Sequence, residues 1–209
     1  MVALTDMERD AFSEVLNIGV GHASSSLSQM VNQEIKLSIP HVEVLERQEA
    51  IRILAGEEEN SVTGVREKFA GAFEGEAFIF FPEESSLELV RLLMGDELPL
   101  DVLTEMEQEA LTEVGNIILT GCLCSIADLL GEEISNELPE FAHGEAKKLL
   151  LSDDEVEDQS NQILLLKTKI MFNIKDKDIQ GHITFLMDMI NLDQFRGKVI
   201  EVFGLEAEG

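Results

Sequence analysis

Basic residues are scarce in this chain: 15 Lys and Arg stand against 42 Asp and Glu, a formal net charge of −27 over 209 residues. A field of that sign repels nucleic acid and anionic lipid, so DNA, RNA and membrane surfaces are not expected partners. A saline habitat would produce the same acidity as a functional field. The N-terminus lacks the basic and apolar regions of a secretion signal, and no run is read as the roughly 20 apolar residues of a bilayer span. The cytoplasm is therefore the expected compartment. Cysteine is almost absent as well, with only Cys122 and Cys124. Two positions apart in a helical pattern, their thiols point in different directions. That suits neither a disulfide nor a zinc site, and both are expected in or near the core.

What the sequence does contain is a repetition. "LTDMERDAFSEVLNIG", Leu4 to Gly19, returns ninety-nine residues later as "LTEMEQEALTEVGNII", Leu103 to Ile118. Each copy opens with a capping box, Thr5 with Glu8 and Thr104 with Glu107, which predicts a helix start. Helical periodicity then runs to about Val31 and about Leu130. The order of later elements repeats too. "IKLSIPHVEVLE" predicts a strand, followed by a short helix, the strands "SVTGVREKFAGAF" and "GEAFIFF", and a helix from Glu84 to Met94. The second half offers "EISNELPEF", a short helix in "EAKKLLL", the strands "QILLLKTKIMF" and "IQGHITFLMD", and a helix from about Asn191 to Phe203. Gly95 to Asp101 reads as the connector, and Leu151 to Asn161, rich in like charges, as a solvated loop. The expected fold is α/β in the broad sense, α+β in detail. It is one pseudo-symmetric domain over 1–209 made of two repeats, about 4–95 and 103–204, whose halves share a sheet or core.

On a wheel advancing about 100° per residue, Phe12, Leu16, Gly19, Ala23, Leu27 and Met30 form one stripe, expected to be buried. Asp10, Glu14, Asn17 and Gly21 gather roughly opposite it, expected to face solvent or a partner. In the second copy Leu111, Gly115, Ile118, Cys122, Ile126 and Leu129 take the inner stripe, and Glu109, Glu113, Asn116 and Thr120 the outer one. Outward positions usually drift between copies so long as they stay polar, and neighbours here have drifted: Arg9 became Gln108 and Ser13 became Thr112. The Glu-x-x-Asn pair has not. Asn is a mediocre residue for a helix interior, so its presence twice on an exposed face calls for a reason. Each Asn is followed, after twenty-two intervening residues, by a proline, Pro40 and Pro139, which would shape a strand beside each helix.

Other chemistries fit less well. The stretch Gly19 to Ser24 resembles a dinucleotide loop only faintly and lies inside a helix with no strand before it. Asp10 and Glu14 have no His at ligand spacing, so no metal site is expected, and Ser24 to Ser26 lack a strand-turn-helix context for a nucleophile. His22, His41, His143 and His182 are scattered and are expected to be structural.

The doubled pattern resembles the signature of the CheC, CheX and FliY family of chemotaxis phosphatases: Asp or Ser, three residues, Glu, two residues, Asn, twenty-two residues, Pro. The first copy supplies Asp10, Glu14, Asn17 and Pro40; the second supplies Glu113, Asn116 and Pro139, with Glu109 where Asp or Ser is usual. Two sites in one chain are similar to the CheC type. The resemblance implies hydrolysis of the aspartyl phosphate of a CheY-type response regulator, with Asn17 and Asn116 placing the attacking water. Glu14 and Glu113 would engage a cation on the regulator, the family expectation being its phosphate-site lysine. Asp10 and Glu109 would aid docking, and Gly21 would let a partner backbone approach. It implies no cofactor of the chain's own, since the Mg²⁺ would sit on the phosphorylated partner. The alternative is a binding module for the phosphorylated regulator or a CheD-like receptor deamidase. A monomer is expected.

Overall fold

The structure, a computed structural model, describes residues 4–46, 52, 61–94, 104–145, 148–149, 164–174 and 177–205. In chain order its elements are α1 (Asp6–Val31), β1 (Ile35–Glu46), β2 (Ser61–Gly71), β3 (Gly75–Pro82), α2 (Glu83–Met94) and α3 (Glu105–Leu130). They continue with β4 (Ile134–Asn136), β5 (Glu140–Glu145), β6 (Leu164–Ile174), β7 (Lys177–Met187) and α4 (Met189–Phe203). The short helices expected after β1 and β5 fall largely outside the described residues. So do the connector 95–101 and the acidic tract 151–161.

Both long helices begin where the capping signals predict. The Glu8 carboxylate accepts from the Thr5 N–H at 2.7 Å while the Thr5 hydroxyl oxygen accepts from the Glu8 N–H at 3.2 Å. Glu107 accepts from the Thr104 N–H at 2.7 Å in the same way. Each helix ends in a left-handed residue, Asn32 after α1 and Gly131 after α3. That conformation lets the chain turn sharply back into a strand.

All strand pairs are antiparallel, in the order β1-β6-β7-β3-β2-β4, with β5 continuing along β2 beyond β4. The fold is thus mixed helix and antiparallel sheet, α+β. If β1 is matched with β4 and β5, β2 with β6, and β3 with β7, the strand order reads the same from either edge. The two halves meet where β3 pairs with β7.

One face of the sheet carries Val65 and Phe69 of β2, Ala77, Ile79 and Phe81 of β3, and Ile183, Phe185 and Met187 of β7. These pack into one core with Phe12 and Leu16 of α1, Leu89 of α2, Leu111 and Ile118 of α3, and Phe195 of α4. Phe195 meets Phe12 edge-on and lies against Phe73, each at 5.1 Å between centroids. Burying each such side chain contributes about 1.5–3 kcal/mol, so this cluster supplies much of the driving force. The helices α1 and α3 touch backbone to backbone. A Cβ on Gly19 would stand 2.6 Å from the Cys122 Cα and 2.7 Å from the Gly121 oxygen, so only glycine permits this crossing. Their inner faces meet there and their outer rows stay clear of it.

Four expectations need correction. The buried arc of α1 is wider than one stripe, taking in Ala11, Val15 and Val20, because the helix packs on both sheet and neighbouring helices. Met30, expected inside, is 49% exposed near the helix end. Cys122 is buried but Cys124 is exposed. Finally, α3 is long and apolar enough to cross a membrane by length and composition alone, although no such run was read from the sequence. Its apolar residues Leu111, Val114, Ile118, Leu119, Leu123 and Ile126 belong to the core cluster instead.

Candidate functional site

The outer rows are where the helical spacing places them. Asp10, Glu14 and Gly21 of α1 are exposed and Asn17 is half-buried; Glu109 and Glu113 of α3 are exposed and Asn116 and Thr120 half-buried. Among the described residues, no atom lies within 4 Å of where a Cβ on Gly21 would stand, so their packing does not demand a glycine there. Each row is a ladder of carboxylates leading to a carboxamide.

The two carboxamides are held differently. On β1 the pairing with β6 steps from Ser38 opposite Met171 to His41 opposite Lys169, so that Ile39 and Pro40 share the single partner Ile170. Two residues opposite one make a bulge, and Pro40 has no N–H to give a ladder. The Ile39 backbone groups are taken up by Asn17. Its Oδ1 accepts from the Ile39 N–H at 2.9 Å and its Nδ2 donates to the Ile39 carbonyl at 3.0 Å and to the Ser13 carbonyl at 2.8 Å. A carboxamide carries a donor and an acceptor side by side, so it makes the paired bonds that a neighbouring strand would make. In this copy the spacing from Asn17 to Pro40 thus brings the bulge residue Ile39 against the carboxamide.

The second copy breaks its strand at the matching place. Where one strand was expected over 133–141, β4 and β5 are separated by residues 137–139, three residues opposite Glu67 and Lys68 of β2. Leu138, the counterpart of the buried Ile39, is 87% exposed, and among the described residues no bond joins it to Asn116. Asn116 Oδ1 instead accepts from the Thr120 hydroxyl at 3.2 Å. No protein partner is found for its Nδ2 among the described residues.

Behind Thr120 lies a group the sequence reading did not single out. Glu67 of β2 is 1% exposed, on the face it shares with Val65 and Phe69. Its Oε1 accepts from the Asn136 side-chain amide and lies 3.4 Å from the Thr120 hydroxyl, and Asn136 also reaches that hydroxyl at 3.3 Å. Its Oε2 is buried with no hydrogen-bond partner among the described residues. Burial pushes the Glu67 carboxyl above the usual carboxylate range, and the bonds from Asn136 and Thr120 offset this only in part. The available signal was a lone acid interrupting an apolar face at period two.

At the start of α1, Glu8 is both cap and ion-pair partner. Arg196 of α4 donates to its two oxygens at 2.6 and 3.0 Å, fixing the first turn of the site-bearing helix to the core. The cleft between Thr63 and His143, whose ring nitrogen lies 3.0 Å from the Thr63 hydroxyl, is a separate small cavity of about 80 Å³.

Comparison with known proteins follows the same lines. Residues 7–44, which span the first motif, match the model of the CheC-like family. The chain is 24% identical over 190 residues to a protein of Bacillus subtilis (strain 168) named CheY-P phosphatase CheC, covering 88% of this chain and 90% of that one. Among solved structures, Thermotoga maritima FliY superposes with a TM-score of 0.77 at 18% identity, covering 97% of this chain and 100% of that one. The FliM middle domain from H. pylori superposes with a TM-score of 0.61 at 11% identity, covering 93% and 99%. Together with the doubled Glu-x-x-Asn rows and their matched prolines, these findings make the chain similar in sequence to CheC-like proteins and in fold to FliY.

Proposed function

We propose that the protein hydrolyses the aspartyl phosphate of a CheY-type response regulator. The observation that carries this reading is the pair of outward rows, in which exposed Glu14 and Glu113 stand one turn before Asn17 and Asn116. Among the described residues, the Asn116 amide nitrogen has no protein partner. The reaction breaks the bond between the aspartyl oxygen and phosphorus, water supplies the new oxygen, and phosphate leaves from a regenerated carboxylate. The regulator's own Mg²⁺ neutralises phosphoryl charge, so the task left to this chain is to place water in line. A carboxamide does this without titrating, because its carbonyl accepts from water while its NH₂ donates. The glutamates dock against a cation beside the phosphate and hold the amide in register. The Bacillus relative named as a CheY-P phosphatase supports this substrate class.

A second reading is favoured by one specific observation. Asn17 spends both of its amide atoms on Ile39, so the first row is suited to docking without hydrolysis, as in a binding module. The test is the loss of aspartyl phosphate from a Mg²⁺-bound CheY-type regulator in the presence of the wild type, Asn17→Ala, Asn116→Ala and the double variant. The double variant is expected to fall to the regulator's own rate, and Glu14→Ala and Glu113→Ala to raise KM more than they lower kcat. A double variant as fast as the wild type would exclude the catalytic reading. A wild type that binds the regulator without accelerating loss would select the binding module.

A further inference from the structure

Glu67 has no evident structural reason to be an acid. It stands between Val65 and Phe69 on the core face of β2, 1% exposed, with one carboxyl oxygen lacking a partner among the described residues. Burying a carboxyl group there costs stability that an apolar residue of similar size would not. What it does have is a route to the second row: Glu67 Oε1, the Thr120 hydroxyl and Asn116 Oδ1 follow one another at 3.4 and 3.2 Å. Asn136 braces the first two from β4.

The Thr120 hydroxyl has a single proton and two acceptors in reach. We propose that Glu67 is a positioning residue for the second site: acting through the Thr120 hydroxyl, it decides whether the Asn116 carbonyl is held in place for an incoming water. This rests on the reading of Asn116 as the water-placing group. With Glu67 neutral, the Thr120 proton goes to Asn116 Oδ1. One lone pair of that oxygen is then fixed, its other lone pair is free for water, and the NH₂ edge faces outward. With Glu67 ionised, the carboxylate draws the Thr120 proton inward and Asn116 loses the hydrogen bond that holds it among the described residues. Burial favours the neutral form, in line with the raised carboxyl pKa. Among the described residues, the groups bonded to or paired with Glu67 are Thr120 of α3, Asn136 of β4 and its register partner Ala77 of β3, all uncharged; the nearest acid on the crossing loop is the exposed Glu137, whose N–H donates to the Lys68 carbonyl at 2.8 Å. The first copy has Gly21 where Thr120 stands, so the device belongs to one site only.

The test has two arms, both on the full chain. In the first, the Asn116 side-chain amide signals are followed by ¹⁵N NMR against pH without any regulator. They are expected to shift as Glu67 titrates in the wild type and to stay still in Glu67→Gln and in Thr120→Val. A wild type without the shift, or variants that retain it, would overturn the proposal.

In the second arm, Asn17→Ala is the parent, so that the second site alone is read, and the substrate is a CheY-type regulator phosphorylated with acetyl phosphate. Thr120→Val is expected to lower kcat about tenfold at unchanged KM, and Thr120→Ser to restore it. The parent should lose kcat as pH rises through the Glu67 pKa, and Glu67→Gln, which cannot ionise, should flatten that decline. Coincident pH profiles for parent and Glu67→Gln would overturn the proposal. If Asn116→Ala in this parent is as fast as the parent itself, the phosphatase reading fails instead, and the NMR arm still judges Glu67.

Discussion

The unequal support of the two asparagines makes a prediction about stability before any partner is involved. Asn17→Ala removes three hydrogen bonds, two of them to the backbone of Ile39, a residue only 2% exposed. Each bond contributes about 1 kcal/mol net, and stranding a buried N–H or C=O costs about 1–3 kcal/mol. Because the bulge can relax toward solvent, a total loss of about 2–4 kcal/mol is expected. For a chain of this size each kcal/mol moves Tm by about 2–4 °C, so Asn17→Ala should melt about 5–15 °C lower. Asn116→Ala breaks one bond of 3.2 Å from a half-buried position and should cost about 1 kcal/mol or less, about 2–4 °C. Calorimetry on the two variants measures the difference, and hydrogen exchange at the Ile39 amide locates it. That amide should be protected in the wild type and in Asn116→Ala, and open in Asn17→Ala. Equal melting temperatures, or an Ile39 amide unaffected by loss of Asn17, would refute the argument that the carboxamide stands in for a strand. On the proposed reading, these bonds would have to be released for Asn17 to serve hydrolysis at the first row.

Two further tests address the frame around the site. Glu8→Gln should destabilise by about 2–3 kcal/mol, because Arg196 is left three-quarters buried without its anion, and Glu8→Gln with Arg196→Met should recover part of that loss in thermal melts. Burial alone would raise the Glu8 carboxyl, but the bonds from Arg196 and Thr5 and the Arg196 charge outweigh it and hold the group low. Its contribution is therefore present above the ordinary Glu pKa of about 4.3 and is lost as pH falls through the lowered folded value, a loss that Glu8→Gln should not show. Of the two thiols, exposed Cys124 should react with an alkylating reagent in the native protein. Buried Cys122, pushed up to about 12 by desolvation, should react only after unfolding; mass spectrometry showing two adducts on the native chain would contradict that burial.

How far a site can be read from sequence depends on which forces place its parts. The helices, their caps and their outward rows follow from local rules, the 3.6-residue period and the pairing of Thr with Glu, and these appear in the structure within a residue or two. The α+β order was legible for the same reason, because strand and helix periods differ. What supports each asparagine was not. The twenty-two-residue spacing to proline is visible in both copies, yet in one it ends in a bulge latched to Asn17 and in the other in a break with Leu138 in solvent. That difference is settled by tertiary pairing, Ile39 against β6 in one case and the loop 137–139 over Glu67 in the other, and no local pattern encodes it. Glu67 lies fifty-three residues from Thr120 and sixty-nine from Asn136 in sequence, so its neighbours are defined only by the closed sheet. Two copies of one motif can therefore keep their chemistry-bearing residues while exchanging the scaffold beneath them. In the first the backbone of an edge strand holds the amide; in the second the Thr120 hydroxyl does, with a buried acid behind it that can change charge.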